Sequence, residues 1–219
     1  MKVGTDGVLL GAWATVELDG LALDIGTGTG LIALMLAQRN PELRVHAVEI
    51  DPASCHQAAE NFATCPWSDR LDLFDSSIQD FAAQTSQTYD LIVSNPPFFS
   101  GGTFTSPANR QLVRHTVKLP HGDLLKAVQK LLSPIGSFCV VLPVMEGLRF
   151  IEMAGHYNLH CVRKTNVRPK PNKPVERLLI QLERQHHPLV EDELVIQQGE
   201  PNEWTPDYKA LTGEFYLDF

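Results

Sequence analysis

Residues 21–30 read LALDIGTGTG, a short apolar run that ends in a cluster of glycines. The run Leu21–Ile25 predicts a buried strand, and the helix formers after the glycines predict a helix over Leu31–Arg39. Glycines at alternate positions allow the backbone to turn tightly and to approach a ligand where a Cβ would collide. The segment therefore predicts a strand, a ligand-binding turn and a helix, in that order.

Strand and helix patterns continue to alternate after this segment. The further strands and helices are predicted at Val45–Ile50, Asp51-Pro52 to about Ala63, Leu71–Phe74, Tyr89–Ser94, Asp123–Leu132, Phe138–Leu142, Glu146–Gly155, Leu159–Val162, Leu178–Leu182 and Leu194–Gln197. Ser133–Gly136 is interpreted as the end of a helix, and Arg163–Lys173 as an exposed loop. The alternation indicates an α/β fold, a mostly parallel sheet with helices on both faces.

Composition places the chain among single-domain globular proteins. It has 219 residues, 43% of them hydrophobic and 20% charged, and no apolar run approaches the roughly 20 residues of a bilayer span. Its four cysteines are widely spaced with no Cys-x-x-Cys pair, which favours a reducing cytoplasm over a disulfide framework or a zinc site. We expect one domain: an N-terminal segment (1–18), a core (19–183) and an acidic C-terminal extension (184–219).

The charge is distributed unevenly along the chain. The net charge is −8, yet residues 97–182 carry 12 Lys/Arg against 4 Asp/Glu, between flanks that hold 4 against 13 and 2 against 9. A basic middle between acidic flanks is typical of a local phosphate-binding face, although chance clustering on solvated surfaces would look the same.

Two acidic residues flank the glycine turn and indicate what it binds. Asp24 lies two residues before Gly26, the first of the three glycines of the turn (Gly26, Gly28 and Gly30), where it would repel a phosphate, so a cationic or zwitterionic ligand fits better. The Gly-x-Gly-x-Gly spacing is also one residue short of the dinucleotide fingerprint. Glu49 ends the second predicted strand, and a carboxylate there can accept both ribose hydroxyls of a nucleoside.

The fourth predicted strand ends in Asn95-Pro96-Pro97-Phe98. The two prolines cannot continue a strand ladder and shape the exit rigidly, beside the glycine turn. Asn95 offers a side-chain carbonyl, the Asn95 and Pro96 backbones add acceptors, and Phe98 offers a flat apolar surface for a planar base. Two acceptors that hold the N–H bonds of an aromatic amine would draw its lone pair out of conjugation and aim it at an electrophile.

These motifs, in this order and spacing, resemble those of the S-adenosylmethionine-dependent amino-methyltransferases. The opening and closing segments are similar to those of the bacterial tRNA methyltransferases that modify an adenine amino group next to the anticodon of valine tRNA. The segments concerned are Lys2–Gly7 with Leu9–Trp13, and Ala210–Thr212 with Phe215–Leu217. The resemblance implies a Rossmann-like class I methyltransferase fold with a terminal antiparallel strand, S-adenosyl-L-methionine as cofactor and tRNA as partner.

The resemblance also implies roles for individual residues. Asp24 and the three glycines would line the methionine part of the cofactor, Glu49 would bind the ribose, and Asn95 to Phe98 would handle the target amine beside the cofactor. Thr5 and Asp6 would close over the cofactor, or form an ordinary helix start. Ser77 stands where relatives place an acid that binds the cofactor's adenine, so this contact is expected to be weaker or to move to Asp75 or Asp80.

We expect the densest basic run to bind RNA phosphates. The alternative is that these side chains lie on a solvent-exposed loop and bind no partner. The run comprises Arg163, Lys164, Arg168, Lys170, Lys173 and Arg177, and a second group, Arg110, Arg114 and Lys118, follows the catalytic motif where the backbone of a flipped nucleotide would pass.

The motifs predict direct methyl transfer to an amine, without a metal or a covalent enzyme intermediate, by a protein for which a monomer is favoured. The resemblance implies that this amine belongs to an adenine in tRNA. Guanine-N2 methylation of ribosomal RNA and glutamine methylation of a protein remain open, because both use similar Asn-Pro-Pro-aromatic motifs. A non-catalytic RNA-binding module that keeps the pocket as a scaffold is the alternative outside the enzyme class.

Overall fold

The structure, a computed structural model, describes residues 4–16, 20–97, 119–200 and 202–217. Its helices and strands follow in the order α1 (Thr5–Trp13), β1 (Leu21–Ile25), α2 (Leu31–Arg39), β2 (Arg44–Glu49), α3 (Pro52–Thr64), β3 (Leu71–Asp75), α4 (Ile78–Gln84), β4 (Tyr89–Ser94), α5 (His121–Leu131), β5 (Leu132–Pro143), α6 (Val144–Ala154), β6 (His160–Arg168), β7 (Arg177–Glu183), β8 (Val190–Val195) and α7 (Pro206–Thr212).

The strands form one eight-stranded sheet in the order β3-β2-β1-β4-β5-β7-β6-β8. Strands β1 to β5 pair in parallel, β7 runs antiparallel to both of its neighbours, and β8 pairs in parallel with β6. The mostly parallel α/β fold expected from the sequence is confirmed. Because β1, β2, β3 and β4 run in the same direction, their carboxyl ends meet at one edge of the sheet, where ligands of such folds bind.

Apolar side chains bury both faces of the sheet. On one face, Leu23, Ile92 and Phe138 pack with residues of α4, α5 and α6. On the other face, Ala22 and Val93 pack with residues of α1, α2 and α7. Burial on both faces explains why the central strands β1, β4 and β5 contain continuous apolar runs rather than alternating patterns.

The predicted bounds of β1, α2 and β4 are confirmed without change. The predicted start of α3 is confirmed as well. Asp51 caps this helix, because its carboxylate accepts a hydrogen bond from Ser54 N at 2.9 Å, and Pro52 occupies the first turn.

Two loop predictions are wrong. Ser133–Gly136, interpreted as a helix end, belongs to β5, where a register shift between Tyr89 and Leu91 of β4 accommodates extra residues as a bulge. Gly136 permits this close approach, since a Cβ there would lie 2.8 Å from the carbonyl oxygen of Tyr89. The supposed loop Arg163–Lys173 is strand β6 as far as Arg168, because pairing with β7 on one side and β8 on the other extends it.

The described parts of the N-terminal segment and of the C-terminal extension both contact the core. Helix α1 packs against α2, α7 packs against α1, and β8 extends the sheet. The division of the chain at residues 18 and 183 stays a prediction. Among the described helices, none is both long and apolar enough to cross a membrane.

Candidate active site

The turn after β1 depends on the conformational freedom of its glycines. Gly26, Gly28 and Gly30 have φ angles of +70°, +60° and +86°, in the left-handed region that favours glycine. The turn is tied to the neighbouring strand, because the N–H groups of Gly26 and Thr27 donate to the carbonyl oxygen of Val48 at 2.9 and 3.1 Å. The amino end of α2 therefore lies directly above the carboxyl ends of β1 and β2.

Two of these glycines are required for different reasons. A Cβ at Gly30 would lie 2.5 Å from a ring carbon of Phe62, so this position lets α3 pack against the turn. A Cβ at Gly26 would meet nothing within 4 Å, and the residue is exposed. No protein atom near Gly26 requires the absence of a side chain there. The free space beside its backbone is therefore suitable for a bound ligand.

Asp24 is the buried acid of the site. One carboxylate oxygen, Oδ2, accepts hydrogen bonds from Thr27 Oγ1 at 2.6 Å and from Ala33 N at 3.2 Å. The other, Oδ1, is buried and has no hydrogen-bond partner among the described residues. Burial, opposed in part by these bonds and assisted by the nearby Glu49 charge, raises the pKa of Asp24 from 3.8 to about 7. A buried acid with an unpaired oxygen is a site for a cationic partner.

Glu49 is oriented by the backbone around it. Its Oε2 accepts a hydrogen bond from Gly28 N at 2.8 Å, and its Oε1 accepts from Ile50 N and Asp51 N at 2.9 and 2.8 Å. A carboxylate has about four lone-pair positions, two on each oxygen, and the backbone occupies both of those on Oε1 and one on Oε2. The carboxylate is thus fixed at the end of β2, and its Oε2 can still accept a hydrogen bond from a ligand hydroxyl.

The Asn-Pro-Pro motif leaves β4 at the same edge. Ser94, the last residue of β4, ties the two central strands together, because its Oγ donates to the carbonyl oxygen of Ile25 at 2.9 Å. Asn95 is half-buried, Pro96 is buried and Pro97 is exposed. Phe98, the fourth residue of the motif, lies outside the described residues. The structure therefore brings Asn95 to the strand end adjacent to the glycine turn.

The start of α1 lies against Asn95. A Cβ added at Gly7 would be 3.9 Å from Asn95 Nδ2 and 3.4 Å from a methyl carbon of Leu31. Thr5 is exposed, and the carboxylate of Asp6 pairs with the guanidinium of Arg177 at 2.9 Å. The helix-start alternative for these two residues is confirmed, whereas their contact with a cofactor stays a prediction.

Ser77 caps a helix that the sequence did not predict. Its hydroxyl accepts a hydrogen bond from Asp80 N at 3.0 Å and lies 2.7 Å from Asp80 Oδ2, to which it donates. Asp75 is exposed and pairs with Glu49 across the β2–β3 ladder. Ser77 and Asp80 thus engage each other, which leaves Asp75 as the acid beside Glu49 available to a ligand.

Comparison with known proteins identifies the fold and the family. A family model described as "Methyltransferase small domain" matches residues 4–145. The chain is 43% identical to a tRNA1(Val) (adenine(37)-N6)-methyltransferase from Pectobacterium carotovorum subsp. carotovorum, over 99% of this chain and 88% of that protein. It is 46% identical to one of the same name from Trichodesmium erythraeum, over 100% and 92%. This chain belongs to that methyltransferase family.

Solved structures of methyltransferases share the fold of this family member. A crystal structure from Agrobacterium tumefaciens, described as a predicted O-methyltransferase, superimposes with a TM-score of 0.75 at 15% identity, over 95% of this chain and 96% of that one. A ribosomal protein L11 methylase from Lactobacillus delbrueckii subsp. bulgaricus gives a TM-score of 0.58 at 17% identity, over 82% and 78%. At these identities the likeness shows the fold alone, a class I methyltransferase fold.

The cofactor of this family and fold is S-adenosylmethionine, and the residues at the sheet edge fit it. The unpaired Oδ1 of Asp24 suits a cationic amino group or sulfonium, and the free space at Gly26 admits a ligand close to the backbone. The remaining lone pair on Oε2 of Glu49 suits a ribose hydroxyl. Among the described residues, no group of three or more His, Cys, Asp or Glu side chains could hold a metal ion.

Most of the basic run predicted to bind RNA is engaged within this methyltransferase. Lys164, only 15% exposed, pairs with Glu191 at 2.9 Å, and Arg168 pairs with Glu193 at 2.8 Å. The Arg163 guanidinium lies 4.2 Å from the centre of the Trp13 ring. Acidic residues of β8 thus neutralise basic residues of β6. The sequence does not predict these ion pairs, because the two segments are separated along the chain and meet only in the sheet.

Two lysines of the run remain at the catalytic edge. Lys170 and Lys173 lie in the turn after β6, whose carboxyl end is at the same edge as that of β4. Lys170 Nζ donates to the carbonyl oxygen of Gly199 at 2.6 Å, and Lys173 is exposed. The second predicted group, Arg110, Arg114 and Lys118, lies outside the described residues.

Sequence reasoning missed two contributors to the site. The hydroxyl of Thr27 donates to Asp24 Oδ2, whereas the sequence predicts no role for Thr27 beyond its place in the turn; the only signal is the separation of three residues between the two side chains. Arg177 was grouped with the phosphate-binding residues but pairs with Asp6, 171 positions away. No local signal reveals a contact of that range.

Proposed function

We propose that this protein transfers a methyl group from S-adenosylmethionine to the exocyclic amino group of adenine 37 in tRNA1(Val). The observation that carries the proposal is the full-length identity of 41–46% to proteins named for that reaction. The edge of the sheet supports it independently, because Asp24, Glu49 and Asn95 converge there in a geometry that suits a cationic nucleoside cofactor and an amine.

In this proposal the cofactor binds at the carboxyl ends of β1 and β2. When bound, S-adenosylmethionine supplies an electrophilic methyl group on a sulfonium. Asp24 would hold the positively charged methionine portion through its free oxygen, the glycine turn would let the backbone approach, and Oε2 of Glu49 would accept a hydrogen bond from a ribose hydroxyl. A cation beside Asp24 also favours the ionised carboxylate, so binding lowers the pKa of this group from its value of about 7 in the free protein.

Activation of the adenine falls to the end of β4. The side-chain carbonyl of Asn95 and the backbone carbonyl of Pro96 would accept hydrogen bonds from the two N–H groups of the amine. This would turn the lone pair of the amine nitrogen toward the methyl group. Pro96 and Pro97 restrict the backbone, so these acceptors are positioned before the substrate arrives. Transfer would be direct: the bond between the methyl carbon and the amine nitrogen would form as the bond to sulfur breaks, S-adenosylhomocysteine would leave, and one amine proton would pass to solvent. Orientation would supply most of the rate. Phe98 stacks on the adenine in this proposal.

RNA binding falls to basic residues around this edge. Lys170 and Lys173 supply phosphate contacts, and Arg110, Arg114 and Lys118 continue the surface along the flipped nucleotide. The paired residues of β6 contribute less, because Glu191 and Glu193 already neutralise Lys164 and Arg168. A tRNA substrate places the reaction in the cytoplasm, and we expect the protein to act as a monomer.

Nucleoside mass spectrometry tests the proposal. Total RNA that lacks the modification is incubated with the protein and S-adenosylmethionine, then fractionated and digested. N6-methyladenosine in tRNA1(Val) is the expected product. Methylguanosine in ribosomal RNA would show that the substrate is a ribosomal guanine instead. No new methylated nucleoside in any RNA would contradict the proposed RNA substrate and favour the glutamine alternative.

A pair of variants assigns the reaction to the motif. Asn95→Ala should abolish turnover, because one of the two amine acceptors is lost, while cofactor binding measured by calorimetry stays close to wild type. Asn166→Ala, which removes an exposed hydrogen bond of 2.8 Å to Glu191, is the matched control and should leave turnover unchanged. Full activity of Asn95→Ala would exclude the proposed role, and absence of cofactor binding in the wild type would favour the non-catalytic module.

A further inference from the structure

One ion pair joins the first turn of α1 to the second half of the sheet. Arg177 Nε donates to Asp6 Oδ2 at 2.9 Å, and the two side chains are only 27% and 21% exposed. A pair shielded to this extent is screened less by water and salt than an exposed surface pair. The contact can therefore hold a local structure in place.

Arg177 stands where it can brace the catalytic edge. It is the first residue of β7, paired in register with Pro143 at the end of β5 and with Val167 near the end of β6. Since β7 is antiparallel to both, its first residue lies at their carboxyl ends, at the same edge of the sheet as the end of β4, with β5 between the two strands. Pairing on both sides fixes the backbone of Arg177, which makes it a rigid anchor for Asp6.

Gly7 and Val8 of the first turn of α1 are buried against the core, but among the described residues the pair with Arg177 is the only side-chain hydrogen bond that this turn makes. Its N-cap is Gly4, which makes no side-chain capping bond, so Asp6 is the acidic group that stabilises the helix start. Gly7, the next residue, faces both Asn95 and Leu31 at the contact distances given above. Any shift of this turn would therefore change the surroundings of the amine acceptor and of the first residue after the glycine turn.

The other end of α1 is fastened separately. Trp13 Nε1 donates to Thr165 Oγ1 at 2.8 Å in a buried hydrogen bond, and Arg39 Nη1 donates to the carbonyl oxygens of Gly11 and Ala14 at 2.8 and 2.6 Å. Loss of the Arg177–Asp6 pair would thus release the first turn without detaching the whole helix.

We propose that Arg177 is a positioning residue for methyl transfer, which acts through Asp6 to hold the first turn of α1 against Asn95. The inference rests on the proposed function of that site. It differs from both roles expected from the sequence, in which Arg177 grips RNA phosphates and Asp6 contacts the cofactor independently. In the structure the two side chains serve as one unit.

A double-mutant cycle separates these roles. We expect Arg177→Gln and Asp6→Ala each to lower kcat for tRNA methylation by about 10-fold or more, because small misplacements of a catalytic edge are costly. The double variant should be no slower than the worse single variant, since both changes break the same contact. Arg177→Lys, which keeps the charge, should recover much of the loss. Multiplied effects in the double variant would mean independent roles and would overturn the proposal.

Hydrogen exchange of the free protein gives a readout that needs neither cofactor nor RNA. Arg177→Gln should speed amide exchange in the first turns of α1 by about fivefold, with little change around Trp13. Arg44→Gln is the matched control, because it removes an Arg–Asp pair of 3.3 Å, to Asp72, at the opposite edge of the sheet. Unchanged exchange in α1 would refute the positioning role.

The two readouts also distinguish failure of this inference from failure of the proposed function. If the wild type methylates no tRNA while Arg177→Gln still loosens the first turn, the substrate proposal is wrong and the anchoring of α1 stands. If tRNA is methylated and Arg177→Gln raises only the KM for tRNA, with a reduced salt dependence, Arg177 is a phosphate contact and the positioning role is wrong.

Discussion

Replacement of Asp24 by asparagine should stabilise the free protein while it removes cofactor binding. The change keeps an oxygen that can accept the bonds from Thr27 Oγ1 and Ala33 N, but it removes a charge that is buried completely. In the wild type this charge has no partner for Oδ1 among the described residues until a cationic ligand binds. The acid is therefore a cost to the fold that function requires.

The size of the effect follows from the pKa of Asp24. A carboxyl group whose pKa rises from 3.8 in the unfolded chain to about 7 in the folded protein keeps its proton to a higher pH when the protein is folded. The stability that it contributes is complete below pH 3.8 and is lost as the pH rises through about 7. Between pH 5 and pH 8 this loss amounts to about 2 to 3 kcal/mol, whereas the asparagine variant has no such loss.

Urea unfolding of both proteins at pH 5 and pH 8 measures this difference, because the other titrating groups are common to both. We expect the gain in the free energy of unfolding of Asp24→Asn over wild type to be larger at pH 8 by about 2 to 3 kcal/mol. Asp69→Asn, at an exposed carboxylate, should show no such pH-dependent gain. An equal gain in the free energy of unfolding at both pH values would refute the raised pKa of the buried Asp24 carboxyl group.

Cofactor addition completes this experiment. S-adenosylmethionine at about 100 times its Kd should stabilise the wild type at pH 8 by about 2.7 kcal/mol and leave Asp24→Asn unaffected. Equal stabilisation of both proteins would mean that another residue carries the charge recognition.

Two further predictions concern the turn and the RNA surface. Gly30→Ala should lower the free energy of unfolding by about 2 to 4 kcal/mol, because the new Cβ strains the left-handed backbone and collides with Phe62. Gly26→Ala should lower it by only about 1 to 2 kcal/mol, because its Cβ meets no protein atom, but should weaken cofactor binding. Equal destabilisation of the two variants in urea unfolding would contradict this difference in packing. Lys173→Gln should reduce the slope of log affinity for tRNA against log salt by about 1, and an unchanged slope in filter binding would exclude a phosphate contact.

The site was predictable to the extent that its signals are local. Strand β1, the glycine turn and α2 are contiguous, so apolar runs and glycine spacing were sufficient to place Asp24 at a ligand-binding edge. Glu49 and Asn95 followed because parallel strands must end at the same edge. The rule for α/β sheets converts three separate positions in the sequence into one pocket without knowledge of any side-chain contact.

The basic run shows where local reasoning stops. Lys164 and Arg168 have the composition of an exposed phosphate-binding loop, and only the pairing of β6 with β8 shows that Glu191 and Glu193 lie beside them. The same limit applies to Arg177, whose partner is at the other end of the chain. Charge counts describe how much charge a segment carries but not which charges meet.

The sequence by itself determined the strand–turn–helix order, the ligand-binding edge and the acids and amide that face it, because these features depend on local periodicity and on the steric freedom of glycine. Only the tertiary structure decided which oxygen of Asp24 is left unpaired, which basic residues are neutralised, and that Arg177 pairs with Asp6 at the start of α1. Those properties arise from contacts between residues distant in the chain, and the physical reason is that burial and ion pairing depend on distance in space, which composition and spacing do not specify.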